Sequence, residues 1–154
     1  MSSSRIDVFI HFNWQTKNRK KILKGRLERF VHQYIRTKAD EFGLHMKAVN
    51  SAWDHSHVLV GWNSECSIRE VTQQFKGGSS YRWNNVIREP NERKLEWQSG
   101  YGAFSIRTRE VEDVRRYVDH QKEHHTEEEL WWRFERHLWT EEDEREDDPP
   151  PWEA

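Results

Sequence analysis

The sequence predicts an α+β fold: a ferredoxin-like (RRM-like) antiparallel sheet with helices on one face, plus an extra C-terminal helix carrying a tyrosine. Three observations lead there. Stretches with strand-like alternation or β-branched runs recur at 6–14, 44–52, 55–62 and 101–106. Apolar residues at helical spacing separate the first stretch from the second and the third from the fourth, so the order is β-α-β-β-α-β. A last amphipathic pattern then covers 110–125.

Taken in order, Ile6–Trp14 alternates and is rich in Val, Ile and Phe, as a half-buried strand should be. The basic turn Thr16–Lys21 follows. Leu23, Leu27, Phe30, Val31, Tyr34 and Ile35 repeat with the period of one helix face, and the helix is expected to stop near Gly43. Leu44–Ala52 and His55–Trp62 read as a hairpin turning at Trp53-Asp54. Ser67 followed three residues later by Glu70 is a helix-start signature. The second helix carries Ile68, Val71 and Phe75 and runs into Lys76-Gly77-Gly78-Ser79-Ser80, with a loop expected through Pro90. Tyr101–Ile106 is the fourth strand and Glu110–His125 the third helix. Thr126 is placed to cap a further helix reaching about Leu138, with Trp131, Phe134 and Leu138 on one face, for packing on the body or across a dimer interface. Residues 1–139 are expected to form the domain, and the acidic, proline-ending stretch 140–154 to be a disordered tail.

Bulk properties narrow the functional classes. The chain has 154 residues, enough for one domain with a real core, and is polar: 34% hydrophobic, 34% charged, mean hydropathy -1.15. No apolar run approaches the roughly 20 residues that span a bilayer, so no membrane association is expected. The start, Met1–Arg5, lacks the apolar core of a secretory signal, and the single cysteine, Cys66, fits a reducing compartment. A cytosolic protein is the simplest expectation. The net charge of -2 conceals an asymmetry: residues 1–109 hold 19 Lys/Arg against 10 Asp/Glu, whereas residues 110–154 hold 6 against 17. The body is therefore +9 and the remainder -11, and a basic body favours phosphate backbones.

The chemistry-bearing residues fall into three groups. His55 and His57 open a strand, where residues two apart share a face, so both imidazoles can reach one cation. Asp54 stands beside them and can orient one ring. With nine histidines in the chain some close pairs are inevitable, and such a pair can also be structural. Tyr117 and Gln121 lie four apart on a predicted helix and so share a face; a helical tyrosine alone is commonly core filling. If that helix crosses the strand, two nitrogens, an amide oxygen and a phenol converge. Two imidazoles and one oxygen ligand leave open positions on a magnesium or manganese ion, where a phosphate oxygen can bind. A phenol of pKa about 10 needs help to act as a nucleophile, and the cation with Arg115 or Arg116 would supply it. The third group is the basic turn (Lys17, Arg19, Lys20) and the segment Lys76, Gly77, Gly78, Ser79, Ser80, Tyr81, Arg82, Trp83, which combines glycines, hydroxyls, cations and aromatics suited to phosphates and bases. It lacks the P-loop spacing.

Five segments in order, His11–Lys20, Asp54–Val60, Lys76–Ser80, Trp97–Ser105 and Tyr117–His125, resemble the small single-tyrosine transposases of the histidine–hydrophobic–histidine (HUH) class. These are the enzymes of the simplest single-strand insertion sequences and their relatives, the REP-associated tyrosine transposases. The resemblance covers about residues 6–130. It implies a homodimer and a divalent metal, Mg2+ or Mn2+, on His55, His57 and Gln121, with Tyr117 as nucleophile. The substrate it implies is single-stranded DNA beside hairpins, cut to leave a 5′-phosphotyrosine and a free 3′-hydroxyl, in a bacterial or archaeal cell at the nucleoid. DNA-binding roles are expected for Lys17, Arg19, Lys20, Lys76, Gly77, Gly78, Ser79, Ser80, Arg82 and Trp83. In some members the tyrosine helix of one protomer completes the metal site of the other. Two departures stand out: Ser56 occupies the usually apolar place between the histidines, and the acidic segment after Glu127 is foreign to the pattern. A domesticated nickase acting on dispersed hairpin repeats, or a non-catalytic hairpin-binding module, would share much of this sequence.

Overall fold

In the computed structural model, which describes residues 4–63 and 65–124, one four-stranded antiparallel sheet has the order β2-β3-β1-β4. The strands are β1 (Phe9–Gln15), β2 (His45–Ser51), β3 (His55–Gly61) and β4 (Gly102–Ile106). β1 and β3 are central, which explains why almost every residue of both is buried. The first strand starts at Phe9 rather than the expected Ile6. Both neighbours end opposite Phe9, at Gly61 and Ile106, and the pairing continues only as far as the Val8 carbonyl, which accepts from the Trp62 N–H at 2.7 Å. Ile6 and Val8 are accordingly exposed.

Alternation divides the sheet into two faces. Ile10, Phe12 and Trp14 of β1, with Val58 and Val60 of β3, point into the main core. There they meet Leu27, Val31 and Ile35 of α1 (Gly25–Glu41) and Val71 of α2 (Ile68–Gln73). Phe75 fills the centre, edge-on to Phe12 at 6.1 Å and stacked on Trp14 at 6.2 Å. Each such side chain removed from water stabilises the fold by roughly 1.5–3 kcal/mol. Helix α1 ends where the sequence predicts. Gly43 adopts φ +74°, and its N–H and that of Leu44 cap the Asp40 and Ala39 carbonyls at 2.9 Å.

The expected loop through Pro90 is instead helix. Helical backbone continues from α2 through a π turn (Gln74–Gly78), α3 (Ser79–Arg82) and a second π turn (Trp83–Ile87). Trp83 is the reason: its ring is buried against Phe30, and its Nε1 donates to the Arg93 carbonyl at 2.8 Å. Asn84 then clamps the returning chain, its side chain bonding both the N–H and the carbonyl of Leu95.

Among the described residues, the other face of the sheet is covered chiefly by α4 (Val111–Asp119). Its Val111, Val114, Tyr117 and Val118 pack on Leu59, Ala48 and Ile106. Tyr117 thus lies on α4, across the sheet from α1 and α2. The predicted helix through His125 breaks at His120 (φ -113°, ψ 32°), before the short α5 (Gln121–His124). The helix expected after Thr126, the tail at 140–154 and the boundary between them lie outside the described residues.

Ser56 is accommodated by a polar chain on the helix side of the sheet. Its hydroxyl pairs with Ser51 Oγ at 2.8 Å, which pairs in turn with His32 Nε2 at 2.8 Å. Burial first, then the nearby Arg36 and Lys122 cations, lower the His32 pKa from 6.5 to about 4. A histidine depressed in the folded state charges more readily when unfolded. Its contribution is therefore complete above pH 6.5 and is lost as pH falls towards about 4. The full loss is on the order of 3 kcal/mol. Denaturant unfolding of wild type and His32→Gln at neutral and mildly acid pH should show a steep acid loss in wild type and a shallower one in the variant; equal pH slopes would discount His32.

Candidate active site

The site is built on the α4 face by the odd-numbered residues of the two central strands. On β3 these are His55 and His57; on β1 they are His11, Asn13 and Gln15, with Asn13 opposite His57 and Gln15 opposite His55. All five are buried. A row of five polar side chains beneath a helix costs stability unless each group is engaged.

His57 is held between two partners. Its Nδ1 lies 2.8 Å from His11 Nε2, the two rings stacking with centroids 5.0 Å apart. Its ring also meets the Tyr117 ring edge-to-face, centroids 5.7 Å apart and planes at 89°. His55 stands T-shaped to His57 at 5.0 Å, and its Nδ1 lies 2.7 Å from Asp54 Oδ1. When a Nδ1–H donates to a carboxylate, the lone pair is on Nε2, the usual condition of a metal-binding imidazole.

Gln121 completes the group. It is fully buried, its Nε2 donates to the Tyr117 carbonyl at 3.0 Å, and its Oε1 has no hydrogen-bond partner among the described residues. Leaving an amide oxygen buried and unsatisfied costs about 1–3 kcal/mol. A hard divalent cation would satisfy it. Among the described residues no three His, Cys, Asp or Glu side chains converge as a metal cluster. Two imidazole nitrogens with the Gln121 amide oxygen would make a mixed nitrogen and oxygen donor set of a kind that can hold a divalent metal.

His57 meets both His55 and the Tyr117 ring, and Gln121 is tied to the Tyr117 carbonyl, although the helix carrying Tyr117 and Gln121 is interrupted between them. Arg115 and Arg116 are not with them. Both are exposed on the outer side of α4 and pair with Glu112 and Asp113, so they do not face the phenol. His11 is the residue that sequence reasoning missed. Its signal was the alternation of His11, Asn13 and Gln15 with Ile10, Phe12 and Trp14, a strand polar on one face although central.

The residues expected to contact DNA divide in two. Lys17, Arg19 and Lys20 are exposed at the end of β1, and Arg19 Nε donates to Gln15 Oε1 at 3.3 Å, next to His55. The segment 76–83 is not a flexible phosphate loop. Lys76 Nζ donates to the Gln98 and Gly100 carbonyls at 2.9 and 2.6 Å, and burial holds its ammonium below the usual lysine pKa. Gly78 packs so closely on Tyr34 that a methyl there would overlap the Tyr34 hydroxyl. Ser79 and Trp83 are buried, so the indole cannot stack on a base. Gly77, Ser80 and Arg82 remain at least partly accessible, beside the exposed Tyr81.

Comparison with known proteins points one way. A family model described as "Transposase IS200 like" matches residues 4–121. Among solved structures, a candidate transposase from Deinococcus radiodurans R1 superposes with a TM-score of 0.58 at 21% identity, over 79% of this chain and 98% of that one. A REP-associated tyrosine transposase bound to a REP hairpin gives 0.60 at 14% identity, over 81% of this chain and 74% of that one. No curated protein matches the chain significantly.

Proposed function

The chain belongs to the IS200-like transposase family, and from that premise we propose a metal-dependent DNA transposase that cleaves and rejoins single-stranded DNA at hairpin-flanked sites through Tyr117. The observation that carries this reading is the packing of the Tyr117 ring against His57, which also meets His55, and the buried, unsatisfied Oε1 of Gln121 four residues on supports it. Pure hairpin binding needs none of these residues together. The proposed DNA partner also draws on the likeness to a transposase bound to a REP hairpin. A homodimer and cytoplasmic action at the nucleoid belong to the same proposal.

His55, His57 and Gln121 would hold Mg2+ or Mn2+. When bound, the cation neutralises charge on the attacked phosphate and favours the phenolate. The Tyr117 oxygen attacks phosphorus; the bond from phosphorus to the 3′-oxygen breaks, and that oxygen takes up a proton as a 3′-hydroxyl. A 5′-phosphotyrosine remains. Attack on it by another 3′-hydroxyl releases the phenol and reseals DNA without ATP, because the ester conserves the energy of the phosphodiester. Tyr117 is 1% exposed, so its hydroxyl must be uncovered before DNA can reach it.

The test mixes purified protein with labelled hairpin oligonucleotides from the DNA flanking its own gene, plus Mg2+ or Mn2+, and runs denaturing gels. A covalent adduct that chelator prevents is the expected result. Binding without an adduct under every metal condition would favour the hairpin-binding module instead.

His11 is expected to act through His57. A metal on His57 Nε2 requires the ring proton on Nδ1, which His11 Nε2, 2.8 Å away, would then accept, so His11→Phe should weaken Mn2+ binding by about 10–100-fold. Manganese titration followed by electron paramagnetic resonance checks this, with thermal unfolding run alongside. Unchanged affinity in a folded variant would remove His11 from the metal's support.

A further inference from the structure

We propose that Lys17, Lys20, Arg93 and Lys94 form a phosphate-binding recess that holds the backbone of the single DNA strand leading to Tyr117; this deepens the transposase reading and rests on it. The basic turn 17–20 and the returning segment 93–96 are far apart in sequence, yet they line one recess of about 240 Å³, floored by Ile22. Four cations border it and one acid, Glu96, which lies 3.4 Å from Lys17 Nζ. Among the described residues Lys20, Arg93 and Lys94 have no acidic partner. Gathering like charges in this way opposes folding, so a bound anion is the natural counterpart.

The backbone carries a second sign. Asn18 and Arg19 both have positive φ, 58° and 50°. Asn tolerates that region, but for Arg it costs on the order of 1 kcal/mol or more. The turn is nonetheless pinned. Thr16 Oγ1 donates to the Lys20 and Asp54 carbonyls at 2.8 and 3.1 Å, and the Lys17 N–H donates to the Glu96 carbonyl at 3.0 Å. These bonds tether the recess to the corner that opens β3, immediately before His55. A strand lying along Lys20 and Arg93 would therefore continue towards the histidines.

The experiment uses Tyr117→Phe protein, which cannot cleave, in chelator, with a labelled thymidine oligonucleotide and a blunt hairpin as probes. Phosphate contacts do not read sequence, so the thymidine strand suffices. Each contact to a single strand contributes about 0.7 to the slope of log affinity against log salt. Lys20→Gln with Arg93→Gln should lower the thymidine slope by about 1.4, equivalent to about 25-fold weaker binding at about 0.1 M salt. The blunt hairpin should change much less. Arg36→Gln with Arg69→Gln removes equal charge from exposed helix positions and should leave the slope unchanged. Equal losses in both double variants, no loss in the first, or an equal loss on the blunt hairpin each overturn the recess as a strand site. If neither probe binds the parent protein at any salt, the transposase reading fails with it; if the parent binds and one of those overturning outcomes follows, the recess alone fails.

Discussion

Tyr117→Phe is expected to bind hairpin DNA as the wild type does and to form no covalent adduct, a loss of at least about a thousandfold in cleavage. The change removes one oxygen and keeps the ring. The edge-to-face contact with His57 and the packing on Leu59, Val114 and Val118 survive, so the stability cost is confined to the lost hydroxyl, about 1–3 kcal/mol. That separation makes the variant decisive. A folded variant with unchanged binding and no adduct identifies the nucleophile. Wild-type adduct yield from the variant would sink the assignment of Tyr117.

His57→Ala should be the more damaging substitution, because it strikes chemistry and fold together. Cleavage is expected to vanish and not to return with millimolar manganese, since only one imidazole and the Gln121 amide would remain. The variant also leaves a void under α4 and strips His11 of its 2.8 Å partner. A stability loss of roughly 2–4 kcal/mol should follow. His57→Asn separates the two effects by keeping a polar group near His11 while lacking imidazole: it should recover stability and not activity. Metal-independent cleavage by either variant would refute the ligand role.

The contrast between the two histidine neighbours shows what was legible early. His55 and His57 were readable as a pair because strand parity depends only on sequence spacing. His11, 46 residues from His57, could be seen as polar and inward but not as a partner, because register between β1 and β3 is a tertiary property. Trp83 misled for the same reason. Beside Arg82 and Tyr81 it resembled a stacking platform, yet the core needed its ring. Arg115 and Arg116 were near the tyrosine in sequence, but helix geometry turned them to solvent.

By itself the sequence determined what local physics controls: four strand patterns, the stop of α1 at Gly43, the shared face of His55 and His57, and the basic character of residues 1–109. The tertiary structure decided what depends on segments meeting. It put α4 on the second face of the sheet, buried Tyr117 against His57, supplied His11, and brought Arg93 and Lys94 to the basic turn. The physical reason is that periodicity says which side of an element is apolar, whereas strand order and register determine which element covers it.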